Sequence, residues 1–513
     1  MPRGGQRDRL APAWIALIPA LITLVVTLDR ISAPSFTRDE GATLLAVHRS
    51  FPQLLRMLGN VDVVHTEYYA LIWVVTRVAG SGALAARAPS AVAMAVAAGV
   101  VTLLGQRLVS GAAGLASGLL FAVFPSVSYY AEDAREYALV TALATVASYL
   151  LVRALQASTA EPGEAAQRPA RPQYGWLAGY AASLALLGLG NIISLLLIAA
   201  HAITLVLWRR HHGAPGRPFV LRWLASVAVA VVVASPVAVI ASGQAHQVQW
   251  IKAPGLVAII AMEGLVGPQP LFLVVVVVIA IALATGLTGG RSRLRADWPA
   301  GLWGLALPWL IIPPLLLFVI SVSRVIHPLY VFRYITFCIP PVALLAGTAL
   351  AALARGALGW AVAVAALIVI AVAGLPAQSA HRAPLGHGYG IRMADQAVAR
   401  LSRPGDALLN IRYWPMQWGG GVERGLEGEY PYGLSRLHDI SQAQAPVPSA
   451  TLGGTFARTS VERQRLATVT RLWVASWSKA PATLPPRLAF TLRYTLHTRG
   501  VWLRLYTRPS AGK

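Results

Sequence analysis

Stretches without charged residues recur along the chain at 13–28, 88–106, 175–200, 264–290, 298–323, 334–354 and 356–380. Many reach the roughly 20 residues that a helix needs to cross about 30 Å of hydrocarbon. Lipid offers the backbone no hydrogen-bond partners, so such runs read as helices. In order they predict spans near 12–30, 88–106, 109–128 and 137–153, then an out-and-back pair over 175–208 divided near Asn191. Further spans follow at about 223–241, 269–288, 299–320, 331–353 and 357–375, which makes eleven. Helix-like pieces near 41–58 and 66–79 sit in the loop after the first span, and a short apolar piece lies at 255–266. The run ALIWVVTRVAG is too short to cross and is expected along the interface. Residues 376–513 differ: polar stretches, Pro and Gly turns, and alternating runs such as Thr491-Leu492-Arg493-Tyr494 predict strands. The chain therefore divides into a polytopic helical membrane domain, 1–375, and a small α/β or α+β domain, 376–513.

Composition strengthens the membrane reading. The chain is 56% hydrophobic and only 12% charged, too apolar for a water-soluble protein of 513 residues. Cys338 is the lone cysteine, which excludes an intramolecular disulfide and a thiolate metal cluster. The formal charge of +23 would suggest nucleic acid in a soluble protein, but no nucleic-acid-binding motif accompanies it.

The distribution of arginine orients the chain instead. Basic residues begin the chain (MPRGGQRDR) and recur at Arg107, Arg153, Arg168, Arg171, Arg209, Arg210, Arg291, Arg293, Arg295 and Arg355. With eleven spans these all fall on one side, as the positive-inside rule asks. The N-terminus is then cytoplasmic, and the first span, which lacks a clean cleavage site, is retained. The Asp39-Glu40 loop, the acidic cluster at 132–136, the loop at 242–254, Ser323–Arg333 and the C-terminal domain share the opposite, extracytoplasmic face. If 175–208 crossed only once, every later loop would change sides.

Four polar stretches on that face are candidates for chemistry. Asp39-Glu40 is either a solvated loop pair, a base raised by a low-dielectric boundary, or a divalent-cation ligand set. In YYAEDAREYAL, helical spacing would put Glu132, Arg135 and Glu136 on one face, with Asp133 beside them. That cluster is either a paired helix cap or, through Arg135, a clamp for an anion. Arg333 in HPLYVFRY, next to Tyr334, either snorkels to headgroups or binds a buried anion, and Lys252 beside Trp250 is a further candidate cation. His65, Glu67 and Tyr69 in the first loop either anchor the interface or touch a polar ligand. No Walker loop, dinucleotide fingerprint, HExxH or GxSxG is present, which argues against an ATP-driven pump and two common hydrolase schemes.

Taken together, RDEGAT after the first span, His65-Thr66-Glu67-Tyr68-Tyr69 in the same loop, Arg87-Ala88-Pro89-Ser90 opening the second span, YYAEDAREYAL, and HPLYVFRYITFCIPPVALLAG resemble the GT-C superfamily of lipid-linked-sugar glycosyltransferases. The closest likeness is to the bacterial protein O-mannosyltransferase and aminoarabinose transferase group. The histidine stretch departs from that pattern, which places prolines after the histidine. The resemblance covers about residues 12–375. It implies a multi-pass protein of a bacterial cell membrane that transfers a sugar from a polyprenyl-phosphate donor to an extracytoplasmic glycan, lipid or protein. It also implies inversion with Asp39 as base, Arg333, Arg135 and Lys252 on the donor phosphate, and Glu40, His65, Glu67, Tyr69 and Tyr334 near sugar or acceptor. Glu132 and Asp133 would orient Arg135 or hold Mg²⁺ or Mn²⁺, although arginines can neutralise a phosphate without a metal. Two rivals stay open: a secondary transporter or flippase for a lipid-linked or anionic substrate, and a noncatalytic envelope-assembly subunit.

Overall fold

The computed structural model describes residues 12–159, 171–260, 262–288, 301–323, 325–354, 356–387, 390–411, 433–476 and 484–509. Arg168, Arg291, Arg293, Arg295 and Arg355, used above for orientation, lie outside the described residues.

Helices occupy the described parts of the stretches expected to span, and the protein is a multi-pass membrane protein. Among the described residues seven helices are long and apolar enough to cross a bilayer, or eight if a bent pair counts as one. The seven are Ala83–Leu108, Tyr137–Ser158, Ile192–His212, Arg217–Gly243, Leu302–Val322, Phe332–Leu353 and Gly356–His381. The first segment, Ala13–Leu28, is helical but shorter. The segment expected to pair out and back does break at Asn191: one helix ends at Gly190, and the Asn191 side chain accepts from Ile193 N to start the next.

The expected span 109–128 is not straight. Gly111–Val123 and Pro125–Ala131 meet at 60°, because Phe124 before the proline is extended (φ −65°, ψ 126°) and Pro125 has no N–H to continue the ladder. Ser126 N and Oγ bond instead to Val266 O at 3.2 Å and Leu265 O at 2.8 Å. The bend aims the chain into the acidic stretch that follows.

Packing explains which helices are central. The Phe332–Leu353 window is 89% buried, against 17% for Gly356–His381, so the former is enclosed by protein and the latter faces lipid. Small residues allow the close approach that helices in lipid depend on. A Cβ on Gly105 would lie 2.6 Å from Gly114 Cα, and one on Gly347 would collide with the backbone of Ser117.

After His381 the chain builds an α/β domain. Its strands are β1 (Ala407–Asn410), β2 (His438–Asp439), β3 (Gln442–Gln444), β4 (Thr455–Phe456), β5 (Arg471–Ser476), β6 (Thr491–Thr498) and β7 (Val501–Thr507). Five form a mixed sheet in the order β2-β1-β5-β7-β6, while β3 and β4 pair separately. β1 is parallel to β2 and β5, with Leu408 opposite Trp473; β7 runs antiparallel to β5 and β6.

Alternation along the strands gives the sheet two apolar faces. One holds Ala407, Leu472, Val474 and Tyr506 with Leu466 of the Thr459–Leu466 helix. The other joins Leu408, Trp473, Leu503 and Leu505 to the Ile391–Leu401 helix, and that cluster continues through Phe36, Leu44, Ala86 and Ala134. The domain therefore shares a hydrophobic core with the loop helices of the membrane domain. Polar ties reinforce the joint: Arg392 donates to the carbonyls of Ala33 and Ser32, each at 3.0 Å, and Arg49 donates to those of Thr451 and Leu452.

Candidate active site

The first loop folds as helices Arg38–Val47, Phe51–Leu58 and Thr66–Ala79, close to the pieces expected at 41–58 and 66–79. A capping box starts the first of them: Thr37 Oγ1 accepts from Glu40 N at 3.1 Å, and Glu40 Oε2 accepts from Thr37 N at 2.8 Å. This fixes the directions of two adjacent carboxylates, and they diverge.

Glu40 turns into the protein and is fully buried. Its Oε1 and Oε2 take Arg87 Nε at 2.6 Å and Nη2 at 2.8 Å, and Oε1 also accepts from Ala134 N at 3.0 Å. Arg87 in turn donates to the carbonyls of Ile31, Pro34 and Ser35. The expectation that Glu40 contacts sugar or acceptor finds its carboxylate enclosed in a fork-to-fork pair instead. Burial acts to raise its pKa and is outweighed by Arg87, which holds it below the usual glutamate range.

Asp39 turns the other way. Its Oδ2 lies 3.3 Å from Arg333 Nη1, with the two side chains 39% and 32% exposed. They form the accessible end of an otherwise buried network. Arg333 is the second residue of the 3-10 turn Phe332–Cys338, its guanidinium over the rings of Trp250 and Tyr334 at 5.5 and 5.8 Å. Beneath it, Arg135 donates to Asp39 O at 3.3 Å and Tyr69 OH at 3.1 Å, and its Nη2 lies 2.8 Å from His65 Nε2. His65 Nδ1 reaches Glu136 Oε2 at 3.1 Å, and Tyr69 donates to Asp62 Oδ2 at 2.8 Å. Burial acts to raise Asp39, but Arg135, Arg333 and His65 outweigh it and hold the carboxyl below the usual aspartate value. The same opposition lowers Glu136 to about 2, with His65 and Arg135 overcoming burial.

The acidic cluster differs from the expected helical face. Residues 132–136 form a turn between helices Pro125–Ala131 and Tyr137–Ser158, so neighbouring side chains fan out. Glu132 leaves the site and pairs with Arg382, Nε to Oε1 at 3.0 Å. Asp133 is buried, its Oδ1 without a hydrogen-bond partner; burial, then Glu40 and Asp39, push its pKa well above the aspartate range. Arg135 and Glu136 lie together beside Asp39, with Arg135 Nε 3.7 Å from Glu136 Oε2. Helix periodicity cannot encode this division, because the partners that separate the two glutamates, Arg382 for Glu132 and His65 for Glu136, are distant in sequence.

Other expected residues are placed as follows. Lys252 is exposed, two positions beyond Trp250. Glu67 is half-buried, its Oε2 unpartnered against Gly190, and burial raises its pKa to about 7. The loop after the Arg217–Gly243 helix does join the first loop, with Gln244 Oε1 accepting from Val63 N at 3.0 Å. Among the described residues no group of three or more His, Cys, Asp or Glu is arranged to hold a metal ion. Glu40 and Glu132 are each paired with an arginine, Arg87 and Arg382. Arg87, Arg382 and Glu136 matter structurally more than the sequence suggested. Arg87 was visible in its Arg-Ala-Pro-Ser motif, whereas Arg382 carried no local signal.

The helical membrane core with its appended sheet domain is a fold shared with proteins of solved structure. Residues 67–240 match the family model described as "Dolichyl-phosphate-mannose-protein mannosyltransferase". The structure is similar to ArnT from Cupriavidus metallidurans in the apo state, with TM-score 0.59 and 15% identity over 96% of this chain and 99% of that one. For ArnT bound to undecaprenyl phosphate the values are 0.59 and 16%, over 98% and 100%. Arabinofuranosyltransferase AftD from Mycobacteria matches at 0.50 and 15% identity, over 96% of this chain and 41% of its own. No protein of curated function matches the sequence. The resemblance read from the sequence thus holds for the fold.

Proposed function

We propose that the protein is a glycosyltransferase that moves a sugar from a polyprenyl phosphate to a hydroxyl of an extracytoplasmic cell-envelope acceptor, with inversion. The observation that carries this reading is the Asp39–Arg333 pair, 3.3 Å apart and partly exposed above an otherwise buried set of partners. The fold shared with ArnT, seen elsewhere with undecaprenyl phosphate, supports the donor class. The positive-inside pattern supports the extracytoplasmic side.

Asp39 is ionised at neutral pH, the form that accepts a proton. As the acceptor oxygen attacks the anomeric carbon, Asp39 takes its hydrogen, and the bond from that carbon to the phosphate oxygen breaks on the opposite face. The leaving phosphate is already acidic and needs positive charge more than a proton donor. Arg333, with Arg135 behind it, supplies that charge. Pairing of Arg333 with Asp39 also makes the base sensitive to the donor. A phosphate that draws Arg333 away removes one of the cations holding Asp39 down, so its proton affinity rises once the donor is seated. His65 and Tyr69 hold Arg135 in place, and Tyr334 stacks beside Arg333.

The test uses purified protein with a radiolabelled polyprenyl-phosphate sugar and envelope extract as acceptor. Label should appear in an acceptor fraction, and Asp39→Asn should lower the rate by about 10²–10⁴-fold. Movement of the lipid across a vesicle membrane without labelled product would favour a flippase.

A further inference from the structure

Arg382 lies immediately beyond the last span and has no part in the chemistry proposed above, yet it is nine-tenths buried. Its guanidinium reaches three places: Nε to Glu132 Oε1 at 3.0 Å, Nη1 to Asp29 Oδ2 at 3.4 Å, and Nη2 to Val26 O at 2.5 Å. It therefore ties the end of the first span to the start of the 132–136 turn. Beside it, His387 stacks on Tyr129 with ring centroids 4.7 Å apart, and its Nε2 lies 3.7 Å from Glu132 Oε2.

Beyond Glu132 the turn is also held by Ser90, Thr43 and Glu40. Ser90 Oγ donates to Asp133 O, Thr43 Oγ1 to Ala134 O, and Ala134 N to Glu40 Oε1. The turn thus has one fixed end at Arg382 and delivers Arg135 and Glu136 to Asp39 at the other. The planar guanidinium divides its three nitrogens among Glu132, Asp29 and Val26, which fixes its orientation, and lysine, a single point charge, could not span all three.

We propose that Arg382, through Glu132, is a positioning residue that sets the location of Arg135, so that the junction with the C-terminal domain completes the active site. The inference rests on the glycosyl-transfer reading for its kinetic consequence, but the clamp itself has a readout independent of activity. Displacement of a charge by about 1 Å can cost on the order of 10²-fold in rate. Arg382→Gln should lower kcat by about 10- to 100-fold with the donor KM little changed, and Arg382→Lys should restore part of it. In an Arg135→Gln background, adding Arg382→Gln should cost less than about twofold, because both act through one group. Hydrogen exchange of the 132–136 amides in the full-length protein should rise in Arg382→Gln. Unchanged exchange there would overturn the clamp, whether or not the protein transfers sugar. Raised exchange with wild-type kcat, or an equal loss in both backgrounds, would overturn its role in positioning Arg135. A wild-type protein that transfers no sugar would overturn the glycosyltransferase reading, while the exchange result would still decide the clamp. If Arg382→Gln fails to fold, Glu132→Gln and Arg382→Lys carry the same comparison.

Discussion

Arg87 and Glu40 permit a strong test of the fold, because both side chains are fully enclosed and each satisfies the other. In Arg87→Met, Glu40 loses donors at 2.6 and 2.8 Å and retains only two backbone N–H groups, those of Thr37 and Ala134. The carbonyls of Ile31, Pro34 and Ser35 lose a donor as well. Breaking one side of a buried pair costs about 3–5 kcal/mol, whereas replacing both partners with apolar groups is often near neutral. Arg87→Met should therefore be strongly destabilised, and Arg87→Met/Glu40→Met should recover much of the loss despite carrying one more substitution. The lone cysteine provides the assay. Cys338 is buried in the core, so a thiol-reactive fluorophore reports its exposure as detergent-solubilised protein is heated. A double variant melting at or below the single variant would refute the reasoning and move the stability of this region from the ion pair to its hydrogen-bonded loop.

Other substitutions probe separate links. Arg333→Lys keeps the charge but loses the planar fork over Trp250 and Tyr334, so transfer should fall by about tenfold or more with a raised donor KM; an unchanged KM would remove Arg333 from donor binding. Glu67, held near 7 by burial, binds its proton more tightly folded than unfolded. Its contribution makes stability fall as pH rises from about 4.5 to 7. Melting curves of Glu67→Gln should lose that slope, and an identical slope would place it on another group. Gly347→Ala pushes a methyl into the Ser117 backbone and should cost about 1–3 kcal/mol by the Cys338 assay; a neutral result would show that these helices can slide apart.

Hydrophobic runs made the helical core legible, because lipid forces each span to bury its own backbone bonds. The same logic located the break at Asn191 and the strand-rich end of the chain. The Asp39, Arg135 and Arg333 cluster was legible too, since positive-inside counting put their loops on one face. Pairing inside that cluster was not. Glu40 with Arg87 and Glu132 with Arg382 are joined across 47 and 250 positions, and no local period encodes such a choice. The 132–136 turn departs from the expected helical face although its spacing suits a helix, because its groups are drawn to partners far away in sequence, Glu132 to Arg382 and Ala134 N to Glu40. The 60° bend at Phe124 follows from the Phe-Pro pair, which a hydropathy run passes over.

One apolar cluster runs from Leu408, Trp473 and Leu505 of the sheet into Phe36 and Leu44 beside Asp39. A ribosome must therefore complete nearly all of the polypeptide before the earliest loop acquires its final packing. During synthesis the packing beside Asp39 would stay incomplete until the last strands arrive, however well the spans had already inserted.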